Sequence, residues 1–313
     1  MAKQDLGGMP LHEAARAAGV QFHEDAVPCS GFVETNELRF HYLEWGKPTN
    51  RPIVMLHGMG QTAHSWDFAA LALCDRYHIV ALDQRGHGDS DWAPNAEYSL
   101  SAHQSDITAV LSALGLDDIV LMGLSMGGRN AFTYTADHPA QVAALIVVDS
   151  APELQRTGAD TIRRFAEDMD VLGTFEEFVV KTKQYNPRRS DRQIRGSLTN
   201  NLKQLPDGRW TWKYDRIFRS PDAKPWTDPD IVAKMWQKVE GVQCPSLVVR
   251  GAGSTVLSQK TAEEMAERLP NGHLAVVPDA GHLVPGDNPT GFHQAVEAFL
   301  ADIPLWGGEY KRG

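Results

Sequence analysis

Short, wholly apolar runs recur along the chain, and most are followed by a longer stretch in which apolar residues return every three or four positions. The runs are PIVMLHG, HIVALD (78–83), DIVLMGLS (118–125), AALIVVD (143–149), PSLVVRG (245–251) and HLAVVP (273–278). An apolar run without alternation predicts a strand buried on both faces. The stretches between or after them are SWDFAALALC (65–74), SLSAHQSDITAVLSALG (99–115), GGRNAFTYTADHP (127–139), TAEEMAERLP (261–270) and PTGFHQAVEAFLADI (289–303), and all carry the period of amphipathic helices. Parallel strands need crossover connections, so strands alternating with helices predict an α/β architecture, a mostly parallel sheet flanked by helices on both faces. FVETN and LRFHYLEWG alternate instead, and predict a hairpin at the start of this order.

The order has one interruption. Residues 153–240 hold helix-like segments and the run DGRWTWKYDRIF (207–218) but no clear parallel strand, and are expected to form a helical cap inserted after AALIVVD. The core is then residues 31–152 and 241–313. Residues 1–30, with a short helical pattern in LHEAARAAG, form an N-terminal appendage whose role the pattern does not reveal. A length of 313 residues suits one α/β domain with a large insertion.

Composition narrows the partners. No apolar run approaches the roughly 18 residues of a membrane span, and the N-terminus lacks the apolar stretch of a signal peptide, so a soluble, cytoplasmic protein is expected. The net charge of −10 comes from dispersed acids and disfavours nucleic acid or an anionic membrane as partner. The basic clusters RTGADTIRR (156–164) and NPRRSDRQIR (186–195) are interleaved with acids and read as solvated helix faces; their location in the proposed cap leaves an arginine meeting an anionic substrate group as the lesser alternative. Three cysteines, far apart and without a C-x-x-C pair, argue against a disulfide framework or a zinc site.

The chemistry begins at Gly123-Leu124-Ser125-Met126-Gly127, a G-x-S-x-G motif between an apolar strand and a helix. A sharp strand-to-helix turn strains the serine backbone and lifts its Oγ at the carboxyl end of the sheet, over a helix N-terminus that favours developing negative charge. Ser125 is therefore the candidate nucleophile, and it needs a base that reaches it in space. His282, in VVPDAGHLVPGDNP between the last strand and the last helix, opens at the same sheet edge and is the candidate. His57-Gly58-Met59-Gly60 follows the strand PIVMLHG and fits an oxyanion loop. The N–H of Met59 is expected to be one oxyanion donor, and the N–H of Met126, next to the nucleophile, the other.

In this order and at these intervals HGMGQTAHSW, LDQRGHGDSD, GLSMGG and PDAGH resemble the α/β-hydrolase superfamily, over roughly residues 31–303, and most of all its capped esterases and non-heme haloperoxidase-like hydrolases. The resemblance implies that fold with an inserted cap, and it implies a mainly architectural role for the run Asp83 to Ser90, in which Arg85 holds loops near the site. It also exposes a departure. In such proteins the triad acid usually follows the strand after the cap, where RGAGSTVLSQK (250–260) offers only Ser254 or Thr255. Asp149, at the end of AALIVVD, stands at the second place the superfamily uses, yet an aspartate before an Ala-Pro step also serves as a turn former. Asp279, close to His282 along the chain, and a dyad with Thr255 or water in place of the acid remain as alternatives.

Trp210, Trp212, Trp226 and Trp236 fall in the cap or its return, with Phe165, Phe175, Phe178, Tyr185, Tyr214 and Phe218. Most of these suit the cap's own core, and the enrichment also suits an apolar pocket for a hydrophobic or aromatic small-molecule ester. No phosphate loop, dinucleotide fingerprint or metal motif appears, so no cofactor or metal is expected. The sequence thus predicts a serine hydrolase cleaving a carboxylic ester through an acyl-enzyme. Lactone, amide or carbon–carbon bond hydrolysis on the same site remain open, as does a ligand-binding protein with weakened catalysis.

Overall fold

Eight strands form one sheet in the order β1-β2-β4-β3-β5-β6-β10-β11. They are β1 (Cys29–Thr35), β2 (Leu38–Trp45), β3 (Pro52–Leu56), β4 (His78–Leu82), β5 (Ile119–Leu124), β6 (Val142–Val148), β10 (Ser246–Gly251) and β11 (Gly272–Val277). The computed structural model describes residues 6–303 except 156, 159, 162–163, 165–168, 187–188 and 221–228. Phe165, Trp226, Arg156, Arg163 and Arg188, singled out above, lie outside the described residues. β1 and β2 pair antiparallel, β2 joins β4 antiparallel, and the remaining pairs are parallel.

The apolar runs are unalternating because both faces of the sheet are covered. Along β3, Val54 and Leu56 join one apolar cluster while Ile53 and Met55 join the other. Helices α3 (Leu100–Ala113), α4 (Met126–Asp137) and α8 (Gln259–Arg268) cover the first face through residues such as Leu111, Phe132 and Met265. Helices α2 (Asp67–Leu73) and α9 (Pro289–Ala301) cover the second through Ala70, Phe292 and Val296.

Two expectations about the insertion change. Helix α7 (Pro229–Gly241), assigned above to the cap almost to its end, buries Met235, Trp236 and Val239 in the core cluster on the α4 face, so Trp236 is core and not cap lining. Its apolar residues recur at helical spacing, which cannot reveal which body they face. Nor is the insertion purely helical. Besides α5 (Phe175–Tyr185) and α6 (Asp191–Asn201) it holds a small antiparallel sheet, β7 (Val171–Leu172), β9 (Trp210–Trp212) and β8 (Leu202–Gln204), ordered β7-β9-β8. Strands of two or three residues are too short to show a period of two. This body has its own apolar centre of Met169, Phe175, Phe178, Trp212, Tyr214 and neighbours, so most of its aromatic residues hold the insertion together.

The insertion lies across the carboxyl edge of the main sheet. The Asp215 N–H donates to Gly86 O at 2.8 Å in the turn after β4, and the Gln155 N–H donates to Val256 O at 2.7 Å in the loop after β10. The N-terminal segment bridges both bodies. Its helix α1 (Leu11–Ala17) buries Ala15 against Leu71 of α2, while Leu6 packs on the insertion's core and the Met9 N–H donates to Arg192 O of α6 at 3.1 Å.

Candidate active site

Ser125 joins β5 to α4 with φ 53° and ψ −114°, a backbone conformation that costs a non-glycine residue strain. The turn holds because its neighbours are small. A Cβ on Gly123 would stand 2.1 Å from Gly127 O, and one on Gly127 would stand 2.1 Å from Leu56 O. The serine is also pinned from β6: its N–H donates to Val148 O at 3.0 Å, and Ser150 Oγ donates to Ser125 O at 2.7 Å.

Asp149 follows β6 directly with a φ of 45°, a second strained residue at the same sheet edge. Its carboxylate is fully buried, and His282 Nδ1 donates to its Oδ2 at 2.7 Å. The Gly251 N–H donates to Oδ1 at 3.2 Å, and Ser254 Oγ donates to Oδ2 at 2.6 Å. Of the acids left open by the sequence, Asp149 is the one brought to the ring. Asp279 is exposed at the preceding turn and Thr255 is exposed on its loop; neither bonds the imidazole. Because a carboxylate only accepts, the proton on Nδ1 is assigned by its partner, which leaves Nε2 as the basic nitrogen. That nitrogen makes no protein hydrogen bond among the described residues, a common looseness before substrate binds.

The loop after β3 passes beside the nucleophile, since a Cβ on Gly58 would come within 3.3 Å of Ser125 Cβ. Gln61 Oε1 takes the Gly58 N–H at 2.8 Å, so that amide is occupied. The Met59 N–H has no acceptor among the described residues, and the Met126 N–H, at the first position of α4, has no partner within its helix. These are the two amides the sequence singled out.

Side chains the sequence reading did not assign keep this loop in place. His57 Nδ1 donates to Gly58 O at 2.8 Å, and its Nε2 accepts the Gln84 N–H at 3.0 Å. Gln84 Nε2 donates to His57 O at 2.7 Å, and Asn130 Nδ2 of α4 donates to Gln84 Oε1 at 2.7 Å. The loop after β3 is thereby tied to α4, the helix that follows Ser125. Burial pushes His57 below its ordinary range, and with both nitrogens engaged it is scaffold and not a base. The only signal for this network was a set of polar residues at strand ends, which turns use routinely.

The run Asp83 to Ser90 is bonded inward. Arg85 forks onto the carboxylate of Asp106 and also donates to Glu97 O at 2.6 Å, while Ser90 Oγ donates to Asp83 O at 2.6 Å. In the second basic cluster, Arg189 pairs with Asp287, Arg192 with Glu13 and Arg195 with Glu176.

A family model described as the alpha/beta hydrolase fold matches residues 51–289. The chain belongs to this family. Its relatives include a 3-hydroxybutyrate-oligomer hydrolase of Cupriavidus necator, 31% identical over 82% of this chain and 92% of the relative. An esterase of Mycobacterium tuberculosis is 28% identical over 82% of this chain and 85% of its own. The crystal structure of a Mycobacterium tuberculosis esterase superposes with a TM-score of 0.76 at 26% identity, covering 96% of this chain and 99% of that one. An E-2-(acetamidomethylene)succinate hydrolase shares the fold at a TM-score of 0.78 and 22% identity, over 88% of this chain and 100% of that one. The α/β-hydrolase fold with its mostly parallel sheet is thus common to these proteins, and hydrolysis is the activity the relatives support. No helix among the described residues is long and apolar enough to cross a membrane.

Proposed function

We propose that this α/β-hydrolase is a serine hydrolase cleaving carboxylic esters of small molecules through an acyl-enzyme. The observation that carries the reading is the 2.7 Å bond from His282 Nδ1 to a fully buried Asp149, at the sheet edge where Ser125 stands on its strained turn. Ser125 Oγ attacks the ester carbonyl carbon and its proton passes to His282 Nε2. Asp149 holds the imidazole in the productive tautomer and stabilises the imidazolium. The Met59 and Met126 amides receive the oxyanion, which a pair of fixed dipoles favours in a site where they need no reorganisation. The imidazolium then protonates the departing alcohol, and water, deprotonated by the same nitrogen, releases the acid and restores Ser125.

A second reading, removal of a small acyl group such as formyl, is favoured by a likeness to the N-formylmaleamate deformylase of Pseudomonas putida, 28% identical over 88% of this chain. One preparation tests both. A fluorophosphonate probe is expected to label Ser125, with the adduct located by mass spectrometry, and the enzyme to turn over short p-nitrophenyl esters. Labelling of Ser125 with N-formyl substrates turned over far faster than esters would favour the second reading. An active protein labelled at another residue would sink both, and labelling without steady-state turnover of either class would point to a binding protein.

A further inference from the structure

The loop after β10 carries a buried serine, Ser254, and every bonding direction of its hydroxyl is committed. Ser254 is buried, and its Oγ accepts the Val256 N–H and the Leu257 N–H, each at 3.1 Å. A hydroxyl has two acceptor positions and one proton. With both acceptor positions filled, the proton has a single outlet, Asp149 Oδ2 at 2.6 Å. That is the same oxygen to which His282 Nδ1 donates. The loop is itself clamped by Arg250 of β10, whose guanidinium donates to Leu257 O at 2.9 Å, Ala252 O at 3.2 Å and Ser254 O at 3.3 Å.

We infer that Ser254 is a positioning residue, which orients the Asp149 carboxylate toward His282 and shares its negative charge. The inference rests on the reading of Ser125, His282 and Asp149 given above. A donor on Oδ2 fixes the rotation of the carboxylate and moderates the pull it exerts on the imidazolium. Ser254 makes no hydrogen bond to Ser125 or His282 among the described residues and acts through Asp149. Without it Asp149 keeps the Gly251 N–H and the histidine, so its charge falls more heavily on the ring. The protonated ring is then favoured to a higher pH, and the base becomes available later. Among the described residues, the charged groups on the loops beside this pair are Asp287, which accepts the Gly281 N–H and pairs with Arg189 of the insertion, exposed Asp279, and Arg250 at the end of β10. None is altered by a change at Ser254, so they cancel between wild type and variant.

The experiment compares wild type with Ser254→Ala, Ser254→Cys and Ser254→Thr, with kcat counted per site titrated by the fluorophosphonate. For Ser254→Ala, kcat is expected to fall roughly ten- to a hundred-fold, the worth of a hydrogen bond to a charged group, with KM little changed. The acid limb of kcat/KM is expected to move to higher pH, and Ser254→Thr, which keeps the hydroxyl, to return it. A purely structural role would lower the titrated fraction and the melting temperature without moving the limb. Should Ser254→Ala not fold, with the Val256 and Leu257 amides left unpaired, Ser254→Cys fills the space with a weaker donor and should show the same upward move. An unmoved limb with wild-type kcat per titrated site, in whichever of these two variants folds, overturns the inference. Loss of probe labelling in the wild-type enzyme would instead fail the underlying reading, a separate result.

Discussion

Two buried aspartates, each just past the end of a strand, hold a histidine, and the two hydrogen bonds have the same length. His41 Nδ1 meets Asp83 Oδ2 at 2.7 Å beside the turn after β4, and His282 Nδ1 meets Asp149 Oδ2 at 2.7 Å beside the turn after β6. Both carboxylates are buried and both also accept backbone N–H groups, Ala63 and Asp89 for the first, Gly251 for the second. The far nitrogen separates them. His41 Nε2 is occupied by Ser30 Oγ at 2.9 Å, within a ring 6% exposed, whereas His282 Nε2 makes no protein hydrogen bond among the described residues and its ring is 14% exposed. The same pair can close a turn or wait for a proton, and what decides is whether the second nitrogen has been given a partner.

Removing the open pair's reactive members should have the largest effect. Ser125→Ala and His282→Ala are each expected to cut ester turnover by orders of magnitude, up to about 10⁶-fold, and the double variant to lose no more than either single, because members of one catalytic unit are not additive. Losses that multiply in the double variant would show that the two residues act separately.

Next in size is the exchange of the two acids. Asp149→Asn should keep the fold and lower kcat by about 10⁴-fold, since an amide neither fixes the tautomer nor stabilises the imidazolium. Asp83→Asn should do the reverse, losing on the order of 2 kcal/mol of stability from a buried network while kcat per titrated site stays within a few-fold. Denaturant melts and site-titrated kinetics on both variants check it. Wild-type kcat/KM in Asp149→Asn would end the contrast between the pairs.

The smallest effect concerns histidines with neither kind of pair. Burial drives His103 down to about 3 from the ordinary 6.5, with Arg85 and His57 adding to the shift, and burial holds His87 well below its usual range. In the unfolded chain such a residue takes up a proton below about 6.5, whereas folded His103 does so only near 3. Unfolding therefore binds protons between these values, and stability falls as pH drops through that window, by at most about 1.4 kcal/mol per pH unit per histidine. Melting temperatures from pH 7 to 5 should decline, less steeply in His103→Gln. An equal slope in the variant would place the acid sensitivity elsewhere.

Much of the sheet and part of the site were legible before folding was considered. Apolar runs without alternation such as IVML and AALIVV have one common explanation, burial on both faces, and Ser125 is marked by glycines that backbone contacts at 2.1 Å require. His282 is marked by its place after the last strand. The carboxylate that meets His282 was not legible, because Asp149 and the residues of RGAGSTVLSQK differ by how two loops travel in space, and a hydroxyl that serves a carboxylate looks in sequence like one that serves a turn. The insertion's small sheet and the core allegiance of Trp236 escaped for related reasons: one is too short to carry a period, and the other obeys a period that does not name the face it meets.

The position of Asp149 has a consequence for how such an enzyme can be modified. Ser125 and Asp149 sit at the ends of adjacent paired strands, both ahead of the insertion in the chain, and only His282 lies beyond it. An acid on the loop after β10 would share its anchorage with whatever segment precedes that strand. In the proposed reading nucleophile and acid are both in place by residue 149, and the segment from Glu153 to Ser220 is a module apart from α7, which packs in the core. Chimeras that swap this module among relatives should keep the geometry of the Ser125–Asp149 pair while the lining presented to the substrate is replaced, which makes the chain a natural chassis for altering selectivity by segment exchange.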